Sequence, residues 1–194
     1  MKLYLAPGAC SLADHIALRE AGLDLEPVKV DLAAKRTEHG DDFMAINAKG
    51  YVPALMLDDG QVLTENVAIL SWVAERAPQL APGGDLARIR LIEMLAYIST
   101  ELHKPLVRCM FPTSDAGKTA ASAIAGHRLG LVATRLNGDY LFGDKFSVAD
   151  AYLYVMLRWA GALGLELPAP LPAYRDRVEA RPAVHRVLRD EGLA

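Results

Sequence analysis

The stretch Lys2-Leu3-Tyr4-Leu5-Ala6-Pro7-Gly8-Ala9-Cys10-Ser11-Leu12 decides how the first third of the chain must fold. Its apolar start reads as a short strand, Lys2 to Ala6. Pro7-Gly8 closes that strand, because proline has no amide to donate and glycine lets the backbone turn. Ser11 to Ala21 then places Leu12, Ile16, Ala17 and Leu18 on one helical face, and Gly22 ends the helix. Val28, Val30 and Leu32 alternate within Pro27 to Leu32, so a second strand follows, parallel to the first through a right-handed crossover. Downstream, Ala54-Leu55-Met56-Leu57 and Gln61-Val62-Leu63-Thr64 flank Asp58-Asp59-Gly60, whose Asp-Gly step supplies the positive φ that a tight antiparallel hairpin requires. A helix over Asn66 to Arg76 completes a βαβ-ββα unit.

Ala77-Pro78-Gln79-Leu80-Ala81-Pro82-Gly83-Gly84-Asp85 carries two prolines and a glycine pair and cannot continue that helix. It divides the chain into an α/β part at 1–77, a linker at 78–85 and an all-α part at 86–194. Leu91, Leu95, Ile98 and Leu102 mark a long helix from Leu86 toward Met110, bent or interrupted by Pro105. Gly117 to Leu136 is the next helix. Ser147 to Leu163 is an almost wholly apolar one that belongs at the centre of the second part, opened by Ser147-Val148-Ala149-Asp150 in the pattern of a capping box. Pro172 to Glu179 and Pro182 to Arg189 close the chain as short helices with proline in the first turn.

Composition narrows the function. With 52% apolar residues, 23% charged residues and a net charge of -3, the chain reads as a soluble globular protein with no long-range attraction for phosphates and no basic stripe, so nucleic acid is not a partner. The longest apolar run, Ala151 to Leu157, is far short of the ~20 residues needed to span a bilayer. The amino terminus lacks a signal-peptide pattern. These features place the chain in the cytoplasm, where Cys10 and Cys109 are separate thiols. The five histidines show no metal-ligand spacing with one another or with cysteine, so no metal is expected.

Cys10 precedes the first helix, where unpaired amides and the positive end of the helix dipole favour a thiolate; the alternative is a small buried filler. Position 13 is Ala13, so the resolving cysteine of a dithiol couple is missing and thiol chemistry must use an external thiol. Val52-Pro53 stands before the hairpin, either as an ordinary trans proline or as a cis bond presenting Val52's backbone to an extended peptide. Thr64-Glu65-Asn66 suits a zwitterionic amino-acid end, with helix amides for the carboxylate and Glu65 for the ammonium, or serves only to cap the helix. His103 follows Ser99 by four residues on a face of small side chains, which leaves room for a ligand but also fits a hydrogen-bonded core histidine.

Taken together, Pro7-Gly8-Ala9-Cys10-Ser11-Leu12, Gly50-Tyr51-Val52-Pro53-Ala54-Leu55, Thr64-Glu65-Asn66-Val67-Ala68-Ile69, Thr100-Glu101-Leu102-His103-Lys104 and Phe146-Ser147-Val148-Ala149-Asp150-Ala151-Tyr152 resemble segments of the glutathione transferase superfamily, specifically its bacterial beta class. The resemblance spans nearly the whole chain. It implies a thioredoxin-like N-terminal domain with a cis-proline at Pro53, an all-helical C-terminal domain and a homodimer. Glutathione would be the co-substrate, with no other cofactor, and a hydrophobic electrophile its partner in a detoxifying conjugation. By position, Cys10 would face the glutathione sulfur, Val52 and Pro53 the cysteinyl backbone, Glu65 and Asn66 the γ-glutamyl end, and Lys35 the glycine carboxylate. Thr100, Glu101, Leu102, His103 and Lys104 would bind glutathione from the second domain's side of the cleft, His103 also as a catalytic group beside Cys10. Val107, Met110 and Phe111 would line the electrophile pocket. Ala96 departs from the class, which often has Asn there to reach glutathione across the dimer; that contact would be weakened, or replaced through Ser99 or Thr100. Two other activities fit the same residues: glutathione-dependent thiol-disulfide exchange through a Cys10 mixed disulfide, and glutathione or ligand binding without turnover.

Overall fold

The computed structural model describes residues 1–194. Strand β1 (Lys2–Leu5) leads through the Pro7–Cys10 turn into helix α1 (Ser11–Glu20) and then to β2 (Glu26–Asp31), parallel to β1 with Tyr4 opposite Val28. Strands β4 (Ala54–Met56) and β5 (Val62–Thr64) form the expected antiparallel hairpin, and helix α3 (Asn66–Arg76) follows. Between β2 and β4 lie β3 (Arg36–Thr37) and the single-turn helix α2 (Phe43–Ile46), giving the sheet order β3-β2-β1-β4-β5. Neither β3 nor α2 is visible as periodicity. Two and four residues are too short to show a repeat, and α2 forms because the Asp42 side chain accepts from the Met44 amide at 3.0 Å.

Strand alternation divides the burial. Leu3, Leu5 and Leu55 enter the main core with Leu12, Ile16 and Ile69, whereas Tyr4, Val28, Val30, Ala54 and Val52 meet Phe43 on the other face of the sheet. This is a thioredoxin-like domain. After a short 3₁₀ turn at Pro78–Leu80, the rest is helical: α4 (Ala87–Tyr97), α5 (Lys104–Met110), α6 (Asp115–Arg135), α7 (Val148–Ala162), α8 (Leu171–Glu179) and α9 (Pro182–Glu191). The main core continues without a break into this part through Leu95, Ile98, Leu102, Tyr154, Val155, Val184 and Val187, because α1 packs against both α7 and α9. No helix is long and apolar enough to cross a membrane.

The expected bend at Pro105 takes a specific form. Ile98–His103, between α4 and α5, is a π-helical segment. Proline at 105 has no amide for the Glu101 carbonyl four residues earlier, and widening the preceding turn relieves the clash that an α-helix would suffer there. The consequence for the site is a change of phase between the two flanking helices.

Candidate functional site

Between the sheet and the helical part lies a cleft of about 490 Å³, lined by Cys10, Tyr51, Val52, Pro53, Glu65, Asn66, Val67, Ser99, His103, Lys104, Val107, Arg108 and Tyr152. That volume falls in the range of small-molecule sites. Of the residues expected at a site, Cys10, Val52, Pro53, Glu65, Asn66, His103, Lys104 and Val107 meet here.

The first wall is built on the Pro7–Cys10 turn. Gly8 sits at φ +71, a conformation that favours glycine, and both its backbone groups are held from the far end of the chain. Its amide donates to Glu191 at 2.9 Å, and its carbonyl accepts from the Trp159 indole at 2.9 Å. Glu191 also accepts from the buried His15 imidazole at 2.9 Å. A buried carboxylate from α9 thus fixes the turn that presents Cys10.

Cys10 itself corrects the sequence expectation. Its thiol donates to the Val52 carbonyl at 3.5 Å, and burial, reinforced by the nearby Asp14 carboxyl, pushes its pKa up to about 12. The amides of Cys10 and Ser11 work in the opposite direction but lose to desolvation. The sulfur is therefore a neutral thiol. Val52 precedes Pro53 through a cis peptide bond, as the resemblance implied.

On the same wall, Glu65 begins α3 at φ 74. With Lys35 at φ 55 it is one of two non-glycine residues in the left-handed region, where an ordinary side chain is strained by ~1–3 kcal/mol. Its Oε1 accepts from Lys49 at 2.6 Å and from the Tyr51 hydroxyl at 2.7 Å, and these donors hold its carboxyl below the usual range. Oε2 remains open. The Asn66 amide group is turned inward, donating to the Cys10 carbonyl at 2.9 Å and to the buried Asp14 at 2.7 Å. Asn66 thus ties α3 to α1, and what it leaves toward the cleft is its backbone amide at the helix start rather than its side-chain donors. Lys35 stands beside the cleft without lining it, its ammonium on the Gly50 carbonyl at 2.7 Å.

The second wall is the π segment and α5. Ser99, His103 and Val107 line the cleft at spacings of four, while Ile98, Leu102 and Leu106 enter the core. Leu102 is therefore a packing residue. Thr100 and Glu101 point elsewhere: the Thr100 hydroxyl returns to the Ala96 carbonyl at 3.0 Å, and Glu101 pairs with Arg128 of α6 at 2.8 Å. Met110 and Phe111 are also outside. The cleft-facing row 103, 107 would continue at 111, but α5 ends at Met110 and Phe111 is 77% exposed. Arg108 takes a place that the expected apolar lining did not include.

His103 packs edge-on against Trp159 at 5.1 Å and shares a hydrogen bond at Nδ1 with the Tyr152 hydroxyl at 2.7 Å. Burial raises the Tyr152 phenol so that it stays protonated, and burial lowers His103 to about 4. Burial thus favours the neutral imidazole, and with Tyr152 donating to Nδ1 its own proton would lie on Nε2. Tyr152 is absent from the sequence-based candidates because a tyrosine in the apolar α7 is indistinguishable from core; Ser99, four residues before His103, is more visible.

The depressed His103 has a sign that is open to measurement. The unfolded chain takes a proton near 6.5 and the folded one near 4, so stability present above pH 6.5 is lost as pH falls toward 4, by up to about 3 kcal/mol. In His103→Gln this loss is absent. Urea midpoints at several pH values between 4 and 8 should show the gap between wild type and variant shrinking as pH falls; parallel profiles would contradict it.

Comparison with known proteins agrees with this geometry. Residues 9–76 match the model described as glutathione S-transferase, N-terminal domain, and residues 68–190 the corresponding C-terminal domain. Glutathione S-transferase GstA of Escherichia coli O157:H7 is 46% identical with full coverage of both chains. A sphingomonad glutathione S-transferase solved in complex with glutathione superposes with a TM-score of 0.93 at 48% identity, covering 100% of both chains. The bacterial beta class glutathione S-transferase of Sphingomonas chungbukensis does so with a TM-score of 0.93 at 47% identity and the same coverage. A thioredoxin-like wall bearing Cys10, a helical wall bearing His103 and full-length similarity of this degree lead to one assignment: the chain belongs to the glutathione S-transferase family, in its bacterial beta class.

Proposed function

We propose that the cleft binds glutathione along the thioredoxin-like wall and directs its sulfur, as the thiolate, onto an electrophilic carbon. The observation that carries this is that Cys10 and His103 face one cleft from its two walls, where burial favours the uncharged form of each. A Cys10 thiolate would repel a second thiolate. A Cys10 S–H that turns from the Val52 carbonyl to the incoming sulfur, an N–H of His103 and the amides opening α1 stabilise one, and so lower the cost of ionising the incoming thiol. Tyr152 keeps the His103 proton on the nitrogen that serves the sulfur.

Glutathione's remaining groups find partners on the same wall. The open Oε2 of Glu65 takes the γ-glutamyl ammonium, the Asn66 amide takes the adjoining carboxylate, Val52 pairs with the cysteinyl backbone, and Lys35 approaches the glycine carboxylate. The site is thus shared between a domain at 1–77 and one at 86–194. A homodimer acting on electrophiles in a reducing cytoplasm completes the proposal, supported by two free cysteines and by exposed Leu86 and Ile89 at the start of α4. Disulfide exchange through Cys10 is disfavoured, since it needs the thiolate that burial opposes.

The test is conjugation of glutathione to 1-chloro-2,4-dinitrobenzene. Glutathione-dependent product is expected, with the rate reduced ~10-fold or more in His103→Ala and severalfold in Cys10→Ala, as for loss of one donor to a developing anion. Absence of glutathione-dependent product across several electrophiles would contradict it.

A further inference from the structure

The helical wall of the cleft carries charge that nothing in the chain answers. Lys104 and Arg108 lie one turn apart on α5 and both line the cleft. Neither enters an ion pair: Glu65, the one carboxylate lining the cleft, is taken by Lys49, and Glu101 is taken by Arg128. Most arginines of this chain are committed to carboxylates, carbonyls or aromatic rings, whereas Arg108 has no such partner, and it stands with the equally unpaired Lys104 on the exposed side of one cavity in a protein whose net charge is -3. Between them stands Val107, and Val67 lines the same cavity. The wall therefore offers an apolar surface flanked by two positive charges.

Resting on the function proposed above, we infer that the electrophile carries a carboxylate, which Lys104 and Arg108 receive while its unsaturated or aromatic body lies against Val107. Glutathione does not account for the pair. In that reading its ammonium and γ-glutamyl carboxylate go to Glu65 and Asn66 on the opposite wall and its glycine carboxylate toward Lys35 beside the cleft, and the electrophile reaches the sulfur from the side those residues leave open. A carboxylate placed between a guanidinium and an ammonium gains two charge-assisted hydrogen bonds, at side chains that are themselves exposed. The chemistry needs no further reactant. With a halonitrobenzoate, the sulfur lone pair forms the C–S bond, the ring and nitro group hold the displaced π pair, and chloride leaves with the C–Cl pair.

The experiment uses a matched pair, 4-chloro-3-nitrobenzoate and its neutral isostere 4-chloro-3-nitrobenzamide, at saturating glutathione and low ionic strength. The readout is the ratio of their kcat/KM values, in which intrinsic reactivity cancels between wild type and variant. Arg108→Gln should lower the benzoate-to-benzamide ratio about fivefold, Arg108→Lys should retain most of it, and the Lys104→Gln/Arg108→Gln double variant should lower it on the order of twentyfold. Salt should lower the ratio in wild type and not in the double variant. A ratio unmoved by both substitutions, including the case where both substrates slow in step, would overturn the inference. If wild type conjugates neither these two nor 1-chloro-2,4-dinitrobenzene, the proposed function fails. Calorimetric binding of the two S-aryl glutathione conjugates then decides the present inference by itself: tighter binding of the carboxylate form that is lost in Arg108→Gln supports it, and equal binding refutes it.

Discussion

Cys10 should react with iodoacetamide at pH 7.5 on the order of a hundredfold more slowly than free cysteine. Its thiol is pushed up to about 12 by burial and by Asp14, so its thiolate fraction lies about three orders of magnitude below that of an ordinary thiol of pKa ~8.5. The greater nucleophilicity of a more basic sulfur returns roughly one order of magnitude. The hydrogen bond to the Val52 carbonyl holds the proton in place as well. Mass-spectrometric labelling of native enzyme, with unfolded enzyme as the reference, measures this directly. Alkylation of Cys10 as fast as in the unfolded chain would mean an exposed or ionised sulfur, and would return disulfide exchange to consideration.

The second large effect concerns stability. Asp150, fully buried at the start of α7, accepts from the Leu141 amide at 2.8 Å, the Ser147 amide at 2.8 Å, the Ser147 hydroxyl at 2.6 Å and the Tyr174 hydroxyl at 2.7 Å. One carboxylate thus closes the capping box and joins the loop before α7 to α8. Removing it in Asp150→Ala leaves four donors unpaired, three of them buried and each of those costing ~1–3 kcal/mol but not additively, so a loss of about 4 kcal/mol is expected. For a chain of this length that lowers Tm by about 8–16 °C. Asp150→Asn, which keeps the shape and one acceptor, should lose about half as much. Thermal unfolding that shifts by less than about 3 °C in Asp150→Ala would show that the network does not hold the helical domain together.

Much of this molecule is legible in its residue order because the signals are local. The crossover unit, the hairpin at Asp59-Gly60, the helix starting at Asn66 and the box at Ser147 each follow from period, turn chemistry or capping within a dozen residues. Elements without enough length to show a period, β3 and α2, are not legible. Neither is the π segment, since Pro105 announces an irregularity without saying how the backbone absorbs it.

The site divides on the same principle. Cys10, Glu65 and His103 are found from residue type and position, yet their chemical states come from distant partners. Asp14 and the burying elements set Cys10, Lys49 and Tyr51 occupy half of Glu65, and Tyr152 from α7 fixes His103. The Asn66 side chain bridges α3 to α1, which leaves its backbone amide for a ligand in the cleft it lines. The apolar run ending in Phe111 reads as a pocket lining only if the helix continues, and it stops one residue short. Desolvation and helix phase are properties of the packed chain, which no single segment contains.

The most direct test of the central claim is the acidity of glutathione's thiol in the complex, followed by thiolate ultraviolet absorbance as pH is raised with enzyme in excess. A place flanked by neutral donors and the opening amides of α1 should lower the thiol pKa by at least about 1.5 units from the ordinary value of ~8.5, with part of that shift lost in His103→Ala. Bound glutathione titrating as it does in buffer, with wild type and His103→Ala indistinguishable, would contradict it.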